Sequence, residues 1–189
     1  TDSSSGGSGG SSGGSSGGGS NLDGPGGLCT KDTTCGTLSS YTVTTPLTTL
    51  SYVPDNLSGI TYVAASNSFF LIENGSGKIW EVDQNYNLIR TITTSGFGDA
   101  EDLVYLGSNN EFAIVNEYSK LFIGTINTTT TSLSASNFQE ITFDSYTGNV
   151  GAEGVAFDLN TQTFYIVKEK NPRKLYSFQR PTNNSNMTI

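Results

Sequence analysis

Histidine is absent from this chain of 189 residues. Its absence excludes a Ser-His-Asp triad, a Cys-His pair and His-ligated zinc or iron. Any catalysis would fall to carboxylates, lysine, tyrosine or a hard metal ion. Basic residues are scarce as well: nine Lys and Arg stand against 17 Asp and Glu, for a net charge of -8. With a pI of about 4.3 and no basic stripe, nothing on the chain is suited to neutralise a phosphate backbone. Nucleic acid is therefore not an expected partner. No run of about 18 apolar residues occurs, so no membrane span is expected. There are only two cysteines, Cys29 and Cys35. Two make a poor zinc site, and their close spacing points to a local disulfide and an oxidising compartment.

What the chain does hold falls into four parts. Residues 1–20 are almost pure Ser and Gly, a low-complexity arm. Residues 21–37 form a connector with Gly, Pro and the two cysteines. Residues 38–180 carry alternating β-branched, aromatic and polar residues, and 181–189 form a polar tail. Asn-X-Ser/Thr sequons with room for a glycan occur at Asn74, Asn127, Asn183 and Asn186; a fifth, at Asn56, sits tight against the first strand run. Acidity, Thr richness, sequons and cysteines together favour an extracellular or cell-surface protein.

Residues 38–180 contain three imperfect copies of one unit. Leu57-Ser-Gly-Ile-Thr-Tyr62, Phe69 to Glu73 and Lys78-Ile-Trp80 form the first. Glu101-Asp-Leu-Val-Tyr105, Glu111 to Glu117 and Lys120-Leu-Phe122 form the second. Glu153-Gly-Val-Ala-Phe157, Phe164 to Glu169 and Lys174-Leu-Tyr176 form the third. Gly59, Asp102 and Gly154 correspond, giving spacings of 43 and 52 residues. A period of roughly 40–50 residues made of short strands is that of a β-propeller blade.

Turn chemistry divides the copies into strands at about 59–65, 69–73, 78–83 and 87–93, then 102–106, 111–116, 120–126 and 138–143, then 154–158, 163–168 and 174–179. The expected fold is all-β: a partial propeller of about three four-stranded blades behind a Gly/Ser-rich arm. The third copy lacks a fourth strand, while a spare strand at about 41–50 precedes the first. A strand from one terminus can complete a blade at the other. Trp80, Phe122 and Tyr176 occupy matching third-strand positions and are expected to pack between blades.

Asn56 to Tyr62, Ile79-Trp-Glu-Val-Asp83, Ile92 to Gly98, Ala113 to Glu117, Ala152-Glu-Gly-Val-Ala-Phe157 and Val167-Lys-Glu-Lys-Asn-Pro172 carry a family likeness. On these residues the chain resembles the SdiA-regulated family of β-propellers, over roughly 40–180. The resemblance implies a five-bladed propeller with a bound calcium ion and no established enzymatic activity. The chain departs from that pattern in its blade number and in having Asp102 where Gly is favoured, which would alter a local turn.

Ser58, Glu101 and Glu153 start the first strand of each copy, and Glu73, Glu117 and Glu169 are expected to end the second. The antiparallel arrangement puts both sets on one rim. Carboxylates gathered there repel unless a cation lies among them, and Ca²⁺ suits an irregular oxygen site. The candidate metal ligands are Glu153, Glu101, Glu169 and Glu117. Lys168 and Lys170 flank Glu169 and read as charges covering a turn.

Two functions follow as expectations. The first is an extracellular structural or binding glycoprotein module. Its partial propeller would be completed by a neighbouring subunit or by further sequence, through blade-edge strand pairing, in a fibre or surface assembly with a calcium-stabilised rim. The second is a calcium-dependent phosphoesterase or esterase, for which the basic lining is poor.

Overall fold

The computed structural model describes residues 47–53, 56–75, 77–145 and 150–189. The Gly/Ser arm, the Cys29–Cys35 connector and positions 41–46 of the spare strand lie outside the described residues. Residues 47–53, which include the end of that expected strand, form a turn segment instead.

Among the described residues thirteen strands form three sheets. The first blade is β1 (Leu57–Val63), β2 (Ser68–Glu73), β3 (Lys78–Val82) and β4 (Leu88–Ser95), an antiparallel meander. The second is β5 (Ala100–Tyr105), β6 (Glu111–Asn116), β7 (Lys120–Thr125) and β9 (Gln139–Thr142). The third is β10 (Ala152–Asp158), β11 (Thr163–Lys168) and β12 (Lys174–Gln179). This is the partial propeller expected, with strand boundaries close to those read from turn chemistry.

Two short strands were not expected. β8 (Ser132–Ser134), inside the Thr/Ser-rich connection of the second blade, pairs in parallel with β4 of the first. β13 (Met187–Thr188), in the polar tail, pairs in parallel with β9 of the second. In both cases the chain leaves one blade, adds a strand to the outer edge of the blade before it, and so straps two blades together. β12 has no outer neighbour among the described residues, whereas its counterparts β3 and β7 do.

Register makes the repeat exact in space. Each inner strand carries a bulge at the same place, at Ser58, Glu101 and Glu153. Opposite them, Ile72, Val115 and Val167 correspond, as do Leu71, Ile114 and Ile166. The residues then alternate between faces, as pleating requires. Phe70 and Ile72 of the first blade pack on Leu103, Phe112 and Ile114 of the second. Ala113 and Val115 of the second pack with Phe164 and Ile166 of the third. Phe70 and Phe112 lie 4.8 Å apart, a tilted ring pair. Fully burying each such side chain is worth about 1.5–3 kcal/mol. Trp80, Phe122 and Tyr176 do occupy equivalent positions, opposite Leu71, Ile114 and Ile166. Trp80 is covered by Leu50, Tyr52 and Val53 rather than by a blade.

Candidate functional site: a carboxylate rim at the bulges

A β-bulge adds one residue to a strand and re-aims its side chain. Here that residue is Ser58, Glu101 or Glu153, at the end of the inner strands. Ser58 Oγ donates to Glu101 Oε2 at 2.9 Å, tying the first blade's bulge to the second's. Asn74 Nδ2 donates to both oxygens of Glu101, at 2.9 and 3.1 Å.

Asp99, Glu101 and Glu117 each place a carboxylate oxygen within 4.8 Å of the others. Glu101 and Glu117 are buried and Asp99 half-buried. Burial pushes Glu101 up to about 7 from 4.5, against the Ser58 hydrogen bond, with the charges of Glu153, Asp99 and Glu117 adding to the rise. Burial and Asp99 raise Glu117, and burial and Glu169 raise Glu153. Burial, reinforced by repulsion from neighbouring carboxylates, thus makes all three hold protons more tightly than usual. Lys170 is the cation whose charge acts against the rise, at both Glu117 and Glu153.

Of the four candidate ligands, Glu101 and Glu117 are brought together. Glu153 stands at the matching bulge of the third blade, near enough for its charge to act on Glu101. Glu169 is exposed and paired with Lys170, outside the tight group. The expected equivalence of Glu73 with Glu117 and Glu169 is off by one residue. Glu73 pairs with Leu57, where Asn116 pairs with Ala100 and Lys168 with Ala152. The counterpart of Glu117 and Glu169 is thus Asn74, which explains its place on the rim. A glycan on Asn74 would take one of the amide hydrogens that face Glu101.

Asp99 lies upstream of the bulge at which the three copies come into step, so the repeat does not reveal it. Its counterpart one blade earlier is Asn56: the amide of Asn74 donates to Asn56 O, as that of Glu117 does to Asp99 O. Gly151 holds the same place in the third blade. A Cβ there would sit 1.6 Å from the Glu117 carbonyl oxygen, so only glycine passes. Its amide donates to the Glu117 carboxylate.

At the blade centre, Asp102 explains the departure from glycine. Its Oδ2 accepts from Val155 N at 2.9 Å and its Oδ1 from Leu103 N at 2.8 Å, and the Ile60 amide also donates to it. One carboxylate thereby joins the inner strands of all three blades.

Lys168 is buried, 3.7 Å from Asp144 Oδ2, and Lys174 and Tyr176 also donate to that carboxylate. These bonds, that of Tyr176 foremost, hold Asp144 well below the usual carboxylate range. Lys168 is thus a buried partner within the fold rather than a charge over a turn. Asn127, Asn183 and Asn186 are exposed.

The sequence profile of the family described as SdiA-regulated matches residues 34–189. The chain belongs to the SdiA-regulated family. Solved structures similar to this SdiA-regulated chain include the nidogen/laminin complex, at 12% identity and TM-score 0.50, covering 69% of this chain and 46% of that one. Another is a putative 6-phosphogluconolactonase from Bacteroides fragilis, at 12% identity and TM-score 0.52, covering 68% and 39% respectively. At such identity the likeness shows the fold alone. The SdiA-regulated chain spans less than half the length of either solved chain. Among its described residues no helix is long and apolar enough to cross a membrane.

Proposed function

We propose that this SdiA-regulated chain is an extracellular structural or binding module whose open propeller end is covered by a blade of a neighbouring copy or of a longer chain. One observation carries the reading. Tyr165, Val167 and Leu175 of the third blade are 40%, 47% and 68% exposed, while their counterparts in the second blade, Ala113, Val115 and Leu121, are fully buried. The register is the same; only the covering blade differs.

The opposite end offers the complementary surface. Ile60 and Tyr62 are 61% and 44% exposed, yet in the second blade the counterpart of Ile60, Leu103, is buried against the first and that of Tyr62, Tyr105, is partly buried there. The face of the third blade and the part of the first blade's face that residues 50–53 leave uncovered are thus the two halves of a contact the molecule makes twice within itself. Joined head to tail, copies form a heterologous contact, which closes into a ring or extends as a filament. The outer edge of β12, which has no partner among the described residues, adds a strand-pairing site to the same end. Sedimentation velocity tests this. Wild type should associate with rising concentration, and Val167→Asp with Leu175→Asp should abolish association without loss of fold. A wild type that stays monomeric at high concentration contradicts covering by a neighbouring copy.

A calcium-stabilised rim accompanies this proposal. Asp99, Glu101 and Glu117 offer only hard oxygen donors, which suit Ca²⁺ over softer metals. A cation would replace the proton that Glu101, raised to about 7, retains near neutrality. Turning the Asn74 amide over would present its oxygen to the ion in place of its nitrogen. Calorimetric titration with Ca²⁺ tests it: binding lost in Glu101→Gln supports the site, and no heat from the wild type rejects it.

A further inference from the structure

The β8 strap leaves a groove that neither the rim nor the open blade faces account for. β7 is paired on its outer side with β9 only from Lys120 to Ile123. At Gly124 and Thr125 the chain has already diverged, because β8 pairs with β4 instead. The first blade has no such gap, since β3 and β4 pair from Lys78 to Val82. The result is a groove of about 650 Å³ between β8, the outer edge of β7 and the tail around Asn184 and Asn186. That volume lies in the range of small-molecule sites.

Its chemistry is distinctive. Nine of its fourteen lining residues carry a neutral hydroxyl or amide, among them Thr125, Ser132, Ser134 and Gln139, and none is basic. The single carboxylate, Glu111, is held by Arg180 at 2.6 Å, so the groove presents no uncompensated charge. An anion or cation gains nothing there, and an apolar ligand would strip water from many polar groups without replacing it. The floor is Phe138, whose ring fills the space a Cβ on Gly124 would need, 2.4 Å away. Asn186 Oδ1 accepts from Glu140 N at 2.8 Å, which fixes the amide and leaves its Nδ2 without a hydrogen bond among the described residues.

We propose that this groove binds a neutral saccharide. Such a ligand matches many uncharged donors and acceptors above a small carbon-rich floor. The saccharide is either free or an N-glycan of the chain itself: Asn186 lines the groove, Asn183 adjoins its lining residue Asn184, and Asn127 O accepts from the amide of its lining residue Thr130.

The test is an amide chemical-shift titration of the full ¹⁵N-labelled chain made in bacterial cells, which attach no N-glycan. The probes are cellobiose, mannobiose and chitobiose, with galacturonic acid as the charged control. At least one neutral disaccharide should move the amides of Gly124, Thr125 and Ser132 to Ser136, saturating with a Kd of about 1 mM. Ser132→Trp, which fills the groove from an exposed position, should weaken this about tenfold or more at unchanged Tm. Thr125→Trp fills it from the opposite wall should the first variant disturb β8. Absence of shifts with all three disaccharides overturns the proposal, as do undiminished shifts in both variants or equal binding of galacturonic acid. Protein from eukaryotic cells separates the two sources. A groove that no longer responds to free disaccharide is filled by the chain's own glycan, and one that still responds takes its saccharide from outside.

Discussion

Asp102 Oδ1 stands 2.2 Å from where Gly59 would carry a Cβ, and Asp102 Oδ2 accepts from Val155 N of the third blade at 2.9 Å. A residue that breaks the repeat pattern thus depends on one that keeps it. The carboxylate fits only because Gly59 is bare, and it accepts from amides of the inner strands.

Removing it should be costly. Asp102→Ala leaves buried donors without a partner, a loss of about 1–3 kcal/mol for each amide left dry. Gly59→Ala should destabilise by about 1–3 kcal/mol through overpacking, since the added carbon also meets the Asp102 Cα at 2.7 Å. The two changes together should cost less than their sum, because the first removes part of the clash of the second. Denaturant unfolding of the two single variants and the double variant reads this coupling.

The rim makes stability depend on pH in a stated direction. Glu101 rises to about 7 in the folded protein from 4.5, and Glu117 and Glu153 also rise. Such groups bind protons more tightly folded than unfolded. Their contribution is full below the unfolded value and is lost as pH rises through the folded one. Tm should therefore fall between about pH 5 and pH 8 in the absence of divalent cation, and Glu101→Gln should flatten that fall. Thermal unfolding by circular dichroism across this range checks it. Asp144 acts with the opposite sign: its lowered value gives stability that disappears only as the solution becomes strongly acidic.

Arg90 closes the outer side of the first blade. Its guanidinium meets Glu81 at 2.6 Å and donates to the carbonyls of Asn127 and Thr130 at 2.7 and 2.8 Å. Glu81 is buried and also accepts from Ser68. Arg90→Met leaves that carboxylate without its cation, a loss of about 3–5 kcal/mol. Arg90→Lys should recover only part, because a lysine cannot make the fork of bonds that ties both the strand and the Asn127–Thr130 turn. Chemical denaturation distinguishes the three proteins.

The blades were legible in the sequence because their faces alternate at period two and their turns carry Asn and Gly at left-handed positions. Asn67, with φ 51°, ends the first hairpin, and Gly107 serves the second. Much of the rim was legible too, since Glu101 and Glu153 recur with the bulge and Glu117 follows the end of the second strand. The strands β8 and β13 were not, because neither has a hydrophobic alternation of its own; each exists only by pairing with an edge supplied by another blade. Asp99 and Asn74 were hidden for a related reason. A bulge shifts register by one residue, and residues aligned by type alone then fall out of step with residues aligned by position.

In the proposed assembly the exposed face of the third blade meets the uncovered part of the first blade's face in another copy. Tyr62 and Tyr165 are the counterparts of Tyr105 and Phe70, which share the core between the first and second blades. Two populations of the full chain, each with Cys29→Ser and Cys35→Ser, would carry Tyr62→Cys or Tyr165→Cys. Mixed under mild oxidation, they should give a disulfide-linked dimer in far greater yield than either population alone. Equal yields in the mixture and in the separate samples would contradict the account.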